Sequence, residues 1–251
     1  MVLTVHHLQV SQSERIPWLC EELGIPYELK IYQRAPALAP PEFKALHWTG
    51  SAPVITDGDL TLAESGACVQ YICEKHGGGR LFPTASHPLY ADFLYWFHWA
   101  NGTFTPTIGR AGMVPDGQDG GGNPMVAYSK KKRDDGFKGL DARLRDNDWL
   151  AGNEFTAADV MLVFSLTTLR YFVPMELAPY PNILAYLKRV GEREGVPARD
   201  EEVGSGDGVG PGRGGARVVL QEVGEGGQEC PVAGPCSQTR RLMLGGILHM
   251  L

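Results

Sequence analysis

The start of the chain alternates between short strand-like runs and one helical repeat. Residues 3–10 (LTVHHLQV) have the composition of a strand, and residues 26–34 (PYELKIYQR) alternate apolar and polar positions. Between them, apolar side chains recur at helical spacing before a stop at Gly24: Ile16, Leu19, Cys20 and Leu23. The pattern predicts a strand, a helix and a second strand, and such a βαβ unit requires that its two strands pair in parallel.

A hairpin and a helix complete this first region. A proline-broken connection with a short helix after Pro41 leads into PVIT and LTLA, which flank Asp57-Gly58. Asp-Gly tolerates the positive φ of a tight turn, so two antiparallel strands are expected. A helix from about Glu64 then ends at the glycine run 77–79. The order β-α-β-α-β-β-α predicts an α/β domain that ends near Arg80.

The pattern changes from Leu89, where strand signals give way to helical ones. The segment LYADFLYWFHWANGTF is unusually rich in aromatic residues: Phe93, Trp96, Phe97, Trp99 and Phe104. Either the helix is buried on two sides or some of these rings line an apolar pocket, and the two interpretations are compatible. The region is expected to be all-helical.

A capping pattern precedes the most apolar helix of this region. Thr156 and Asp159 form an S/T-x-x-D box, with Phe155 and Val160 at the flanking hydrophobic positions. The run from Met161 to Leu169 is too continuous for a surface helix. It is expected to be the central buried helix of the second domain.

Composition and charge narrow the function. The chain has 251 residues, 43% of them hydrophobic, which is enough for one large or two small domains. A net charge of -6 argues against nucleic acid and against an anionic membrane surface as partners. No apolar run approaches the length of a membrane helix, and the N-terminus has no basic targeting region. A cytoplasmic protein is expected.

Cysteine and histidine do not indicate a metal site. The five cysteines show no paired zinc spacing, and Cys68 and Cys73 fall in a helical pattern where burial is the usual role. His6 and His7 are adjacent in a strand, so their rings point to opposite faces and cannot easily chelate one ion. We expect no metal.

Three segments follow one another along the chain: LAPPEFKALHWTG, SAPVITDGDLTLAESGA and LAGNEFTAADVMLVFSL. In this order they resemble the cytosolic glutathione transferases, and the combination of VHHL, APPEFKALH and LAESG resembles the Gtt-type enzymes of fungi and bacteria in particular. The resemblance implies an α/β thioredoxin-like N-terminal domain followed by an all-α C-terminal domain. The expected boundaries are 1–80 for the first domain, 81–88 for a linker, 89–194 for the helical domain and 195–251 for a tail.

The resemblance also implies where glutathione, the expected co-substrate, binds. The implied binding residues are Ala52, Pro53, Val54, Glu64, Ser65 and His47. A cis peptide before Pro53 would present the backbone of Ala52 to the cysteinyl group, in the manner of strand addition. Glu64 and Ser65 would hold the γ-glutamyl end at a helix N-terminus. Their alternative role is that of ordinary first-turn residues.

Two positions depart from the family. Ser51 stands where related sequences often have a lysine for the glycyl carboxylate, and Trp48 replaces a proline. The residues that could compensate for the missing charge are Lys44, His47 and Arg34.

A hydroxyl at the start of the first helix is the expected activator of the glutathione thiol. A thiol with a pKa near its ordinary value of about 8.5 is mostly protonated at neutral pH, and a hydrogen-bond donor at a helix N-terminus favours the thiolate. QVSQSER supplies Ser11 and Ser13. Ser11 matches the family's serine and is preferred as the catalytic residue, with Ser13 as the alternative; either could be only an N-cap.

These residues lead to a functional expectation. The protein is expected to conjugate the glutathione thiolate to small hydrophobic electrophiles in detoxification or stress metabolism, as a homodimer. The candidates for the hydrophobic substrate site are Trp96, Phe97, Trp99 and Phe104. The alternatives are a non-catalytic or regulatory glutathione-binding member of the fold and a glutathione-dependent peroxidase, isomerase or dehalogenase.

The last segment does not fit the family. Residues 195–251 are Gly-rich, lack aromatic residues and resemble a disordered segment. Related transferases continue here with a pattern like GYRRAM. VPARDEE can be written in codons that, shifted by one base, read YRRAMKK. The tail is therefore expected to be either disordered or translated out of frame, which sequencing of the transcript would decide.

Overall fold

A mixed β-sheet forms the framework of the N-terminal region in a computed structural model, which describes residues 2–35, 37–114, 117–118, 120–193 and 218–222. Its strands are β1 (Leu3–Leu8), β2 (Tyr27–Tyr32), β3 (Val54–Asp57), β4 (Leu60–Ala63) and β5 (Val218–Glu222). Their order is β4-β3-β1-β2-β5. β1 and β2 pair in parallel, with Leu3 opposite Tyr27, which confirms the βαβ prediction.

The hairpin has the predicted turn. β3 and β4 pair antiparallel with Asp57 opposite Leu60, and Gly58 has a φ of 60°. β3 also runs antiparallel to β1. The backbone that enters this hairpin is therefore held beside β1, and this places the segment around Pro53 near the chain that leaves β1.

Eight α-helices lie in the described residues. They are α1 (Arg15–Leu23), α2 (Pro41–Lys44), α3 (Ser65–Lys75), α4 (Tyr90–Trp99), α5 (Thr105–Gly112), α6 (Pro124–Asp146), α7 (Ala157–Leu166) and α8 (Pro181–Gly191). α1 ends at Gly24, whose left-handed φ of 61° is the expected stop. Cys68 and Cys73 are fully buried in α3, as predicted, and burial raises the pKa of each thiol to about 12.

The described chain divides into two compact units. The first runs to Cys68 and includes residues 191–193 and 218–222, and the second is Val69–Val190. The division falls within α3, so the predicted boundary at residue 80 stays a prediction. No helix in the described ranges is both long and apolar enough to cross a membrane.

α7 is the buried centre of the second unit, as predicted. All of its residues are buried, although the helix ends at Leu166 rather than continuing to Leu169, because a 3-10 turn begins at Thr168. The predicted capping box is present: the Thr156 hydroxyl accepts from the backbone of α7, and the Asp159 carboxylate accepts from the Thr156 N–H at 2.9 Å. The other oxygen of Asp159 accepts from the Leu150 N–H and the Tyr186 hydroxyl.

Part of the predicted tail forms a strand. The backbone of β5 pairs in parallel with β2, with Val218 opposite Tyr27. Residues 194–217 and 223–251, and with them Cys230 and Cys236, lie outside the described residues. The prediction for the tail as a whole stays a prediction.

Candidate functional site

The turn that leaves β1 brings two hydroxyl groups together. Ser11 is the N-cap of a 3-10 turn, Gln12–Glu14, that leads directly into α1. Its Oγ lies 2.8 Å from the Ser13 Oγ and donates to the carbonyl of Leu8 at 2.7 Å. Both predicted candidates therefore belong to one hydrogen-bonded pair, and the pair lies at a helix start.

The two serines differ in what surrounds them. Ser13 is completely buried and accepts from the Leu8 N–H at 3.0 Å, whereas 7% of Ser11 is exposed. The Ser13 Oγ also lies 2.9 Å from Nδ1 of His7. Burial lowers the pKa of His7 to about 4, so its ring is neutral near pH 7. Of the two hydroxyls, Ser11 is the one at the edge of the network.

Arg34 supports the backbone of this turn. Its Nε donates to the carbonyl of Gln9 at 2.9 Å, and its Nη atoms donate to the carbonyls of Val10 and Ala37. Val10 has a φ of 49°, a left-handed conformation that a β-branched residue rarely adopts. The guanidinium therefore stabilises the strained backbone that precedes Ser11.

The segment before the hairpin has the expected backbone. The peptide bond between Ala52 and Pro53 is cis. Pro53 is buried, and Val54 is buried and begins β3 opposite His6 and Ala63. Val54, directly after this proline, is thus held in the sheet between β1 and β4.

The start of α3 combines an exposed carboxylate with a buried hydroxyl. Glu64 is exposed and has a φ of 75°, a left-handed conformation that is costly for a residue with a side chain. Its carbonyl accepts from the Cys68 N–H at 2.9 Å, which closes the first turn of the helix. Ser65 is only 3% exposed. The first N–H groups of an α-helix have no acceptor within the helix, and Glu64 and Ser65 stand at this end of α3.

Arg15 is a buried cation that sequence reasoning missed. Its Nη1 donates to the Ser65 Oγ at 2.9 Å and to Oε1 of Gln12 at 2.7 Å, and only 1% of the residue is exposed. Burial lowers the pKa of Arg15 to about 10, so the guanidinium keeps its charge near pH 7. Since Ser65 accepts from Arg15, its own proton is available to a ligand, and the positive charge behind it favours an anion.

The loop before the hairpin holds the remaining predicted residues. His47 is half-buried, and its Nδ1 lies 3.0 Å from Thr49 Oγ1. Lys44 is exposed, and Ser51 is exposed with its hydroxyl donating to the carbonyl of Thr49. Trp48 is 90% exposed. Lys44, the last residue of α2, lies three positions before His47 in sequence.

An aromatic pocket lies within the second unit. It has a volume of about 410 Å³, and Trp96, Trp99 and Phe104 are among its lining residues. The rings of Trp99 and Phe104 stack with centroids 4.5 Å apart, and a Cβ at Gly136 of α6 would lie 3.2 Å from the Phe104 ring. Three of the four predicted aromatic residues therefore share one pocket of ligand size.

Phe97 is placed elsewhere. It is 3% exposed and packs against Phe82 and Phe93, with ring centroids 5.3 and 5.4 Å away. The structure therefore brings Phe97 into a buried cluster with these two rings and not to the pocket.

The comparisons with known proteins agree in both regions. The family model "Glutathione S-transferase, N-terminal domain" matches residues 11–75, and "Glutathione S-transferase, C-terminal domain" matches residues 104–194. Glutathione S-transferase 3 of Zea mays is 30% identical over 191 residues, which cover 71% of this chain and 84% of that protein. The chain belongs to the glutathione S-transferase family.

Fungal and bacterial members of the family are similar over most of their length. Glutathione S-transferase 3 of Schizosaccharomyces pombe is 28% identical over 216 residues, which cover 80% of this chain and 88% of that protein. A crystal structure of a glutathione S-transferase from Actinobacillus pleuropneumoniae has a TM-score of 0.67 and 33% identity, and the match covers 77% of this chain and 89% of that one. The predicted architecture and the transferase class are confirmed.

His7 and Arg15 have weak sequence signals that could have revealed them. Arg15 precedes Leu19 by four positions, so it shares the apolar face of the helix, where a charge is out of place. His7 lies in a strand with buried neighbours on both faces of the sheet. In this glutathione S-transferase each side chain hydrogen-bonds to a serine that was predicted from the sequence: His7 to Ser13, and Arg15 to Ser65.

Proposed function

We propose that the protein conjugates the thiolate of glutathione to small hydrophobic electrophiles, and that Ser11 is the catalytic residue. The observation that carries the proposal is the Ser11 hydroxyl: it lies at the edge of a buried network, at the N-terminus of the turn that leads into α1. A hydroxyl donor and the positive end of a helix dipole both lower the pKa of a thiol.

Glutathione would be held at each of its polar parts. The Ser65 hydroxyl and the first N–H groups of α3 would donate to the γ-glutamyl carboxylate, with Arg15 behind Ser65 and Glu64 beside the ligand's ammonium. The backbone from Ala52 to Val54 would pair with the cysteinyl group. Because Ser51 has no charge, the glycyl carboxylate is assigned to Lys44 or His47.

The chemical step needs little from the protein beyond the thiolate. The thiol gives its proton to solvent as it binds, and the thiolate held by Ser11 then forms a carbon–sulfur bond. The carbon–leaving-group bond breaks, and the leaving group departs with the electron pair. The pocket lined by Trp96, Trp99 and Phe104 is proposed to bind the apolar part of the electrophile. Such a pocket selects by size and polarity, which suits detoxification or stress metabolism.

Conjugation of glutathione to 1-chloro-2,4-dinitrobenzene tests the assignment. Ser11→Ala is expected to lower kcat/KM by about 10- to 100-fold, which is what loss of one hydrogen bond to a charged group costs. Ser13→Ala should lose less, since it acts only through Ser11. A larger loss in Ser13→Ala than in Ser11→Ala would overturn the choice of Ser11. Bound glutathione without conjugation in the unaltered protein would instead indicate a non-catalytic member of the family.

We further propose that the protein works as a cytoplasmic homodimer, which rests on the family resemblance alone. Sedimentation analysis should give twice the mass of one chain, and a sedimenting monomer that conjugates glutathione would contradict it. Fractionation of cells that express the full chain should place it in the cytoplasm.

A further inference from the structure

His7 has one ring nitrogen in the serine network and one outside it. Its Nδ1 lies 2.9 Å from the Ser13 Oγ, while its buried Nε2 has no hydrogen-bond partner among the residues that the structure describes. The ring is 3% exposed and neutral near pH 7. A neutral imidazole carries one N–H, so His7 either donates to Ser13 through Nδ1 or accepts from it.

The unpartnered Nε2 decides between these two states. If Nδ1 accepted from Ser13, the proton would lie on Nε2, and a buried N–H would have no acceptor. If Nδ1 carries the proton, only an acceptor is left unpaired, and orphaned buried N–H groups are rarer than orphaned acceptors. The Nδ1–H form is therefore favoured, and His7 donates to Ser13.

The direction of the remaining hydrogen bonds follows from this. Ser13 Oγ then accepts from both the Leu8 N–H and His7, so its two lone pairs are occupied. Its own proton can reach Ser11 Oγ at 2.8 Å or the carbonyl of Leu8 at 3.2 Å. Because Ser13 cannot accept a third bond, a hydrogen bond over the shorter of these distances needs the Ser13 proton. Ser13 consequently donates to Ser11.

Ser11 is then left with one role. Its Oγ accepts from the Ser13 N–H at 3.2 Å and from the Ser13 hydroxyl, which fills its lone pairs. The Ser11 hydroxyl can only donate, and it has to turn its proton from the Leu8 carbonyl to any ligand that binds beside it. A chain of bonds pointing one way also polarises each member, which strengthens the last donor.

We propose that His7 is a positioning residue: by donating to Ser13 it orients both hydroxyls so that the Ser11 proton points to the sulfur of bound glutathione. This inference rests on the proposed role of Ser11. No covalent bond between heavy atoms forms or breaks, and His7 neither gains nor loses a proton. Its contribution is to exclude the reversed chain, in which Ser11 would donate to Ser13 and be lost to the thiolate.

The test is the pKa of the bound glutathione thiol, measured by titration of thiolate absorbance in the complex. His7→Phe keeps a ring but removes the donor, and it is expected to raise that thiol pKa by about one unit, a tenfold loss of thiolate below the pKa. Measured at a pH below the thiol pKa of the complex, where glutathione binds in its protonated form, the dissociation constant should stay within about twofold. His7→Asn keeps an amide N–H near the position of Nδ1 and should restore the lower pKa.

Two further measurements make the inference decisive. The double variant His7→Phe, Ser13→Ala should have the same thiol pKa as Ser13→Ala alone, because His7 acts through Ser13. Heteronuclear NMR of the unaltered protein should show the His7 proton on Nδ1. A proton on Nε2, additive effects of the two substitutions, or an unchanged thiol pKa in His7→Phe would each overturn the inference. If Ser11→Ala itself leaves the thiol pKa unchanged, the proposed role of Ser11 fails first.

Discussion

Two helix starts in this protein share one sequence pattern but differ in the hydrogen-bond partners of their polar side chains. Ser11-x-x-Glu14 and Thr156-x-x-Asp159 both place a hydroxyl residue three positions before a carboxylate. Both hydroxyl residues are extended N-caps, with φ of -149° at Ser11 and -135° at Thr156, and both accept from a backbone N–H two residues on. Their local geometry is therefore nearly the same.

The difference lies in where the remaining polar atoms find partners. At Thr156 the fully buried Asp159 accepts from the cap residue and from two groups outside it, so the cap closes on itself. At Ser11 the partner is the Ser13 hydroxyl, which in turn contacts His7. The Ser11 proton is then able to leave the Leu8 carbonyl for another acceptor. A closed cap contributes stability, whereas an open one leaves a donor for a ligand.

The largest effect is expected from breaking the closed cap. Asp159→Ala would leave the Leu150 and Thr156 N–H groups and the Tyr186 hydroxyl buried without an acceptor. Each unsatisfied group costs about 1–3 kcal/mol, so the free energy of unfolding should fall by about 3–5 kcal/mol in urea denaturation. Asp148→Ala, at an exposed site nearby, should change it by less than about 0.5 kcal/mol. Equal losses in the two variants would show that the cap is not closed in the way described.

A smaller effect is expected from the cation behind Ser65. Arg15→Met keeps an unbranched side chain but removes the charge and the bond to the Ser65 Oγ. Isothermal titration should show glutathione binding about 10- to 100-fold more weakly. Arg145→Met is the control, because Arg145 is exposed and pairs with the neighbouring Asp146 in a surface bridge. Unchanged affinity in Arg15→Met would remove Arg15 from the binding site.

The buried His7 beside Ser13 should also affect how the free energy of unfolding depends on pH. Burial lowers the pKa of His7 from 6.5 to about 4 in the folded state, so the unfolded chain binds this proton more readily. The stabilisation is fully present above pH 6.5 and is lost as the pH falls towards 4. The contribution of His7 to the slope of the free energy of unfolding against pH in this window is at most about 1.2 kcal/mol per pH unit.

His7→Phe should therefore flatten the pH dependence of the free energy of unfolding between these limits. Burial raises the pKa of Asp159 to about 6, so Asp159 makes the free energy of unfolding fall as the pH rises. This contribution is the same in the unaltered protein and in His7→Phe. The difference between the curves thus reports His7. Parallel curves for the unaltered protein and His7→Phe would contradict the burial of this ring.

The elements that sequence reasoning predicted best are those with local signals. The Asp57-Gly58 turn, the Gly24 stop and the Thr156 box depend on backbone conformations or bonds within a few residues. Arg15 and Ser65 are 50 positions apart and meet through a tertiary contact, so the local pattern carries only a weak signal of their pairing. His7 meets Ser13 because the turn after β1 folds back on the strand. The burial of a charged side chain such as Arg15 therefore has to be read from the three-dimensional structure.

The aromatic residues show how a helical pattern can mislead. Ala100–Phe104 form a π turn between α4 and α5, which widens the helix at this point. Trp99 and Phe104 are five positions apart, yet their rings stack. On a regular α-helix these positions do not share a face, so a helical repeat read from the sequence could not separate the rings of the pocket from Phe97.

The Ser11 hydroxyl is proposed to hold the thiolate of bound glutathione. Titration of the thiolate absorbance of the complex, in the unaltered protein and in Ser11→Ala, tests this role. We expect a thiol pKa at least about one unit below the ordinary value of about 8.5 in the unaltered protein, and a return towards that value in Ser11→Ala. The same lowered pKa in both proteins would contradict it.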